Sequence, residues 1–303
     1  MALDANRTER PVRKLRKLLK KMPAQPSAEE THDFRTSACR IEATLQALSL
    51  DSGNSCRRTL RWVSKLRKRA GKVRDMDVLT DFLSSVSQRN EERECYVQLL
   101  EHLGAQRQKY AKKFDSAKQK YASQLAKGLK QTSKQMARVL PKDRRADSDG
   151  NAVSADVAAS ALKLLADLAQ PLRLGKTNLH PYRLKVKELR SVLQMAANSD
   201  QQKFVQSLGE VKDAIGEWHD WEELVAIGRK LLDHGTNCQL LQQLRTIGDA
   251  KYRNALALSE NMRKKFLRMS DGRSKFSSRR RVHGSAEPIP AEPVWRATAA
   301  LIA

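Results

Sequence analysis

A short basic pattern occurs twice in this chain, 148 residues apart. The first copy is His32-Asp-Phe-Arg35-Thr-Ser-Ala-Cys39-Arg40-Ile-Glu42 and the second is His180-Pro-Tyr-Arg183-Leu-Lys-Val-Lys187-Glu-Leu-Arg190. Each is followed, some forty residues on, by another match: Gly71-Lys-Val-Arg74-Asp75 and Gly216-Glu-Trp-His219-Asp220. Two motifs in the same order in both halves mark a tandem duplication. An internal repeat limits the fold to two copies of one unit.

The unit reads as helical. Glycine and proline number only 13 and 9 in 303 residues, and aromatics are 5%. The remainder is dominated by residues that favour helix. Val12, Leu15, Leu19 and Met22 recur at helical spacing on a densely basic segment that Pro23 and Pro26 end. The run Ser27-Ala-Glu-Glu matches a capping box, and the helix behind it carries the stripe Phe34, Ala38, Ile41, Leu45 and Leu48. A helix from about Cys56 to Val73 is expected to bury Trp62, Val63, Leu66, Ala70 and Val73, with a separate helix starting near Asp75. Residues 91–140 read as two amphipathic segments or one continuous helix, with Gly104 and Gly128 as candidate interruptions. In the second half, helices are expected at Val153–Leu168, Leu179–Ala197 and Gln202–Gly216, then two or three more up to Met269. These readings divide the chain into a first helical half at 1–141, a polar linker at 142–154 and a second half at 155–270. A basic, proline-containing tail at 271–303 lacks periodicity and is expected to be mostly disordered, with Val294–Ile302 a candidate docking segment.

The net charge of +24 selects the partner class. It far exceeds the ~2 to 8 units that solubility needs, so it points to a polyanion: nucleic acid, an anionic membrane surface or a polymer of phosphates. Cys39, Cys56, Cys95 and Cys238 form no CxxC and no His-paired spacing, which argues against a zinc site and for reduced thiols. No apolar run approaches the ~18 residues of a membrane span, and the N-terminus lacks the apolar core of a secretory signal. A soluble, cytoplasmic protein is expected.

Helical geometry then places the cations. With about 100° per residue and His180 at zero, Arg183, Lys187 and Arg190 fall at about 300°, 340° and 280°. They form one narrow stripe beside the apolar face of Tyr182, Val186, Leu189 and Leu193. In the first copy His32 and Arg35 share that stripe. Cys39 and Glu42 replace its other two cations, and Arg40 lies on the opposite flank. In the later motif Arg67 matches Lys212 and Arg74 matches His219. Lys65, Lys68 and Lys72 instead match Glu210, Asp213 and Glu217, as a solvated face would. A single histidine at a helix start is ordinarily a cap or a core group. Two at equivalent positions, each with arginine three residues on, point to a site. Asp75 and Asp220 read either as catalytic carboxylates or, in the commoner role, as partners of nearby arginines or caps of a following helix.

These residues resemble the conserved histidine α-helical domain family, CHAD, over about residues 10–270. The family pattern is His-x-x-Arg-x-x-x-(Arg/Lys)-x-x-Arg followed by Leu-Gly-x-x-(Arg/His)-Asp. The second half fits closely; the first fits at His32, Arg35, Arg40, Arg74 and Asp75 and departs at Cys39 and Glu42. The resemblance implies an all-α fold of two pseudo-symmetric antiparallel four-helix bundles. It also implies binding of inorganic polyphosphate in a basic channel between them, and association with polyphosphate granules. His180, Arg183, Lys187 and Arg190 would line one wall and His32, Arg35 and Arg40 the other, with Arg67, Arg74, Lys212 and His219 extending the channel. No catalysis, cofactor, metal or membrane is expected. A phosphate loop GxxxxGK(S/T) is absent, and only Glu42 and Asp75 stand near the stripes as the acids that metal-assisted hydrolysis requires. Non-specific nucleic-acid binding is the alternative, with Arg279–Arg281 able to meet phosphates. It lacks interleaved aromatics for base stacking.

Overall fold

Ser27 fixes where the first motif begins. Its hydroxyl accepts from the Glu30 N–H at 3.1 Å, and Glu30 Oε2 accepts from the Ser27 N–H at 2.8 Å. This reciprocal capping box satisfies two otherwise orphaned donors. It starts α2 (Ala28–Ala47) and puts His32 just beyond its first turn. In this computed structural model the described residues are 5–50, 53–86, 93–139, 148–194, 201–232 and 238–267. Within them α1 is Ala5–Lys21, α3 Asn54–Ser85, α4 Arg93–Val139, α5 Ser148–Ala169, α6 Leu179–Leu193, α7 Gln202–Leu231 and α8 Gln239–Met262, which runs into a π turn at Arg263–Leu267.

The helices close two rings. Helix α1 packs on α2, α2 on α3, α3 on α4, and α4 back on α1; α5 packs on α6, α6 on α7, α7 on α8, and the π turn returns to α5. Among the described residues four helices precede the 140–147 segment and four follow it, which is compatible with a duplication. The expected stripes are buried: Val12, Leu15, Leu19 and Met22 on α1; Phe34, Ala38, Ile41, Leu45 and Leu48 around α2; Tyr182, Val186, Leu189 and Leu193 on α6.

Several boundaries differ from the sequence reading. Helix α3 runs unbroken through Asp75 to Ser85, so no helix starts there and Asp75 caps nothing. Its neighbourhood holds no proline, and Gly71 serves packing rather than termination. Of the two alternatives for residues 91–140, the continuous one holds: helix α4 is one piece of 47 residues. Gly104 and Gly128 each cost about 1 kcal/mol relative to alanine, too little to break a helix packed along its length against α3. A Cβ on Gly128 would lie 3.3 Å from Thr59 Cβ, so that glycine lets α3 and α4 approach. Helix α5 begins at Ser148, inside the expected linker, and α7 continues fifteen residues past Gly216 to Leu231. The 140–147 part of the linker, residues 195–200 and the tail with Val294–Ile302 lie outside the described residues.

The halves share their interior. Helices α2 and α3 contact α6 and α7. One apolar cluster unites Met76, Leu79, Leu83, Leu99 and Leu103 with Trp221, Leu224, Leu241 and Leu244. Against it the partly buried Phe82 stacks on Trp221, with centroids 4.8 Å apart and planes 8° from parallel. Such a pair adds about 0.5–1.5 kcal/mol beyond the area it buries.

Some of the surplus cations are structural. Arg107 on α4 donates to Asp77 at 2.6 Å and to the Pro26 carbonyl at 2.8 Å, and Asp77 also accepts from Thr31. Buried Lys118 donates to the Met22 and Pro23 carbonyls at the end of α1. Arg263 donates to the Pro171 carbonyl in the α5–α6 loop. The Arg107 and Lys118 contacts fix how the loop enters α2 and hence the bearing of its basic stripe.

Candidate functional site

The two basic helices, α2 and α6, lie against each other. The loop before α6 is organised by Asn178, whose Oδ1 accepts from the Gly175 N–H at 2.7 Å and whose Nδ2 donates to the Arg173 carbonyl at 2.9 Å. Pro181 falls in the first turn, where its missing N–H costs nothing. His180 is thereby set at the mouth of the helix pair, its ring 4.8 Å from that of His219 on α7.

Each first motif docks on the second motif of its own half. The Arg183 guanidinium covers Gly216: a Cβ there would lie 2.9 Å from Arg183 Cζ. Arg35 covers Gly71 in the same way, with the imagined Cβ 3.6 Å from Arg35 Nε. The glycine of the later motif is therefore the seat of the arginine of the earlier one, and the two motifs form one structure. Arg190 is seated likewise on Gly209, with its Nε 3.1 Å from the Cβ position. Arg183 Nε donates to the Lys212 carbonyl at 3.2 Å, and Arg190 Nε to the Val205 carbonyl at 3.4 Å.

Across the halves the equivalent residues meet. Lys187 Nζ donates to Cys39 Sγ at 3.0 Å. Arg35 and Arg183 stand close enough that the charge of the first helps push the guanidinium of the second below its usual range, after burial itself. Lys212 of α7 reaches the vicinity of His32, whose pKa is lowered by burial, then by Arg74, with Arg35 and Lys212 adding to it. Arg40 is exposed, yet its pKa is lowered by burial of part of its stem and then by Arg190 and Arg10. Although the helical wheel puts Arg40 on the far flank of α2, that flank faces α6 and α1. It belongs with Arg190.

The cations are not all free. Arg67 Nε forms an ion pair with Glu42 Oε2 at 2.7 Å, and its guanidinium also interacts with Cys39. Burial opposes the charge on Arg67, and Glu42 more than offsets it. The Lys212 ammonium rests on the exposed carboxylate of its neighbour Asp213. Close to Arg35 and Arg183 sits a carboxylate cluster from both halves. Burial raises Asp75 to about 6; Arg35 counters this, and Glu223 and Asp220 reinforce it. His219 Nδ1 lies 3.7 Å from Asp220 Oδ1, and this contact raises its pKa against the effect of burial. His180 is lowered by burial, then by His219 and Arg183.

The eleven residues predicted to bind therefore divide into four groups. Arg35 and Arg183 are half-buried, seated on glycine and close to the carboxylates. His32, Arg40, Lys187 and Arg190 lie on α2 and α6, with Arg74 on α3 and Lys212 on α7 near His32. His180 and His219 pair with each other, while Arg67 is neutralised by Glu42. Lys65 and Lys72 instead lie over the Tyr121 and Tyr110 rings on the α4 side.

The sequence reading places only Glu42 and Asp75 near the stripes, and the tertiary structure adds Glu223 and brings Asp220 in. His219, Asp220 and Glu223 offer one donor atom each within 4.8 Å of one another, a spacing that a metal ion can bridge. Arg183 already balances Asp220. Glycines in both copies of the later motif were the one visible trace of the seats. Nothing in the local pattern of Glu223 or Arg10 marked either as a neighbour.

The CHAD domain family profile matches residues 9–227. The crystal structure of the CHAD domain from the plant Ricinus communis superposes with a TM-score of 0.63 at 15% identity, covering 87% of this chain and 93% of that one. No curated protein matches the chain.

Proposed function

The chain belongs to the CHAD domain family, and from that premise we propose that it binds inorganic polyphosphate in the groove between α2 and α6, without catalysis. The observation that carries this reading is the crowding of like charge. Burial, then the nearby charges of Arg190 and Arg10, lower the pKa of Arg40, with Asp33 the acid that opposes them, and the guanidinium stays charged. Cations held together in this way are stabilised when an anion bridges them, and a polymer that neutralises several at once also releases its own counterions. Arginine forks suit phosphate oxygens in bidentate geometry, while Lys187 and Lys212 supply point charges. The guanidiniums of Arg35 and Arg183 keep the carboxylates close to them from repelling the polymer. The same groove would carry the protein to polyphosphate granules in the cytoplasm.

The test is titration with long-chain polyphosphate of the wild type and of the triple variant Arg40→Ala, Lys187→Ala, Arg190→Ala. These residues ring the groove, and Arg183 is left in place because it supports α7. The variant should lose affinity by about tenfold or more and show a shallower dependence on salt. Equal binding by both proteins would refute the reading. If duplex DNA displaces polyphosphate at equal phosphate concentration, the groove is a general polyanion surface and the nucleic-acid alternative is favoured.

A further inference from the structure

The basic groove does not end at Arg190. Helix α1 lies beside α2, and Lys14 Nζ grips Asp33 Oδ1 at 2.7 Å, one residue from His32. Val12, Leu15 and Leu19 bury the inner face of α1, while Arg10, Arg13, Lys14, Lys17, Lys20 and Lys21 are exposed. Taking Arg10 as zero at about 100° per residue, Arg13, Lys17, Lys21 and Lys14 fall at about 300°, 340°, 20° and 40°. Five cations thus share one ridge, opposite the core and about 16 Å long from Arg10 to Lys21. Lys14 has Asp33 as its partner; Arg10, Arg13, Lys17 and Lys21 are in no ion pair among the described residues. Arg10 is the residue of this ridge that feels Arg40. Through Arg40 and Arg190 the ridge and the groove form one continuous path of positive charge.

We propose that the outer face of α1 is a second anion-binding surface that takes the polyphosphate strand as it leaves the groove, so that chain length is read by α1. This rests on the groove reading above. A short oligophosphate is satisfied by the groove residues and never reaches Lys17 or Lys21. A long one reaches the ridge in addition, as a tethered interaction of high effective concentration. Long chains should therefore bind more tightly than the groove alone explains.

The experiment compares full-length wild type with the variant Arg13→Gln, Lys17→Gln, Lys21→Gln. Glutamine keeps the helix propensity and removes the charge. Tripolyphosphate and long-chain polyphosphate are the two probes. The variant should bind tripolyphosphate within twofold of wild type and lose about tenfold for the long chain. Its slope of log affinity against log salt should fall by about two to three. Loss with both probes alike, or with neither, would overturn the proposal. If the wild type binds neither probe, the groove reading itself fails; if only the groove variant weakens long-chain binding, the groove stands and the ridge does not. Acetylation footprinting of the wild type gives an independent readout. Long-chain polyphosphate should protect Lys17 and Lys21 while tripolyphosphate leaves them reactive, and equal reactivity in both would refute the assignment.

Discussion

Lys187 donates to Cys39 Sγ at 3.0 Å, and the two residues occupy the same position in the two copies of the basic motif. When two equivalent units pack face to face, a residue on the relating axis meets its own counterpart. Here that counterpart is a thiol where the family pattern has a cation. The Lys187 ammonium and the Arg67 guanidinium both reach that sulfur. The substitution Cys39→Lys places two ammoniums side by side. At an effective dielectric typical of protein surfaces, two such charges repel by up to about 4 kcal/mol. Relaxation and salt should leave about 1–2 kcal/mol of destabilisation. Polyphosphate should raise the melting temperature of this variant more than that of the wild type, and an equal rise in both would contradict the axial placement.

The glycine seats are not equally tight. Gly216→Ala drives a methyl into the Arg183 guanidinium, which is held by its bond to the Lys212 carbonyl. Gly71→Ala meets Arg35 at an ordinary van der Waals distance. The first change should lower unfolding free energy by about 1 kcal/mol or more. The second should be neutral or stabilising, because alanine favours helix by about 1 kcal/mol. Urea unfolding of the two variants decides this; equal losses would mean that the arginines are not seated as described.

Asp75 makes the site sensitive to pH. Its folded pKa is raised to about 6, so its contribution to stability is present below the unfolded carboxylate range of about 4 and is lost as pH rises through 6. Ionised at neutral pH, it also subtracts charge from the groove. Polyphosphate affinity should strengthen as pH falls from about 7.5 to about 5.5, helped by His32 and His180, which take up protons only below the usual histidine range. Asp75→Asn should raise stability at neutral pH by about 1–3 kcal/mol and flatten the upper part of the binding profile. A binding curve with the wild-type slope in that variant would remove Asp75 from the account.

Glu42 is the carboxylate that neutralises Arg67 beside the groove. Glu42→Gln frees that guanidinium and should strengthen polyphosphate binding by roughly threefold to tenfold, since one more cation able to meet a phosphate is worth about 1 kcal/mol. Folding should weaken by a similar amount. Calorimetric titration and thermal melting of the same variant check both signs. A weaker affinity would show that Glu42 positions Arg67 rather than masking it.

Helix faces were legible because burial follows a short period along the chain. Phe34, Ala38, Ile41 and Leu45, and Tyr182, Val186 and Leu189, lie where a step of 3.6 residues puts them. The break expected near Asp75 does not occur, and of the two readings of residues 91–140 the continuous helix through Gly104 and Gly128 is the one found, for a physical reason. A glycine in isolation weakens a helix, but within a packed pair it permits close approach, and the sequence does not say which applies.

Repetition and charge were written in the chain: two motifs in one order, a helical period and a cationic excess follow from residue identity alone, because each depends only on neighbours within a few turns. Which cations face one another depends on residues more than a hundred positions apart. Only the docking of α2 on α6 put Lys187 on Cys39 and Arg190 beside Arg40, only that of α3 on α7 set Asp75 near Asp220, and only that of α1 on α2 brought Arg10 to Arg40. Electrostatic energy varies with distance in space, and distance in space is fixed only when the core closes.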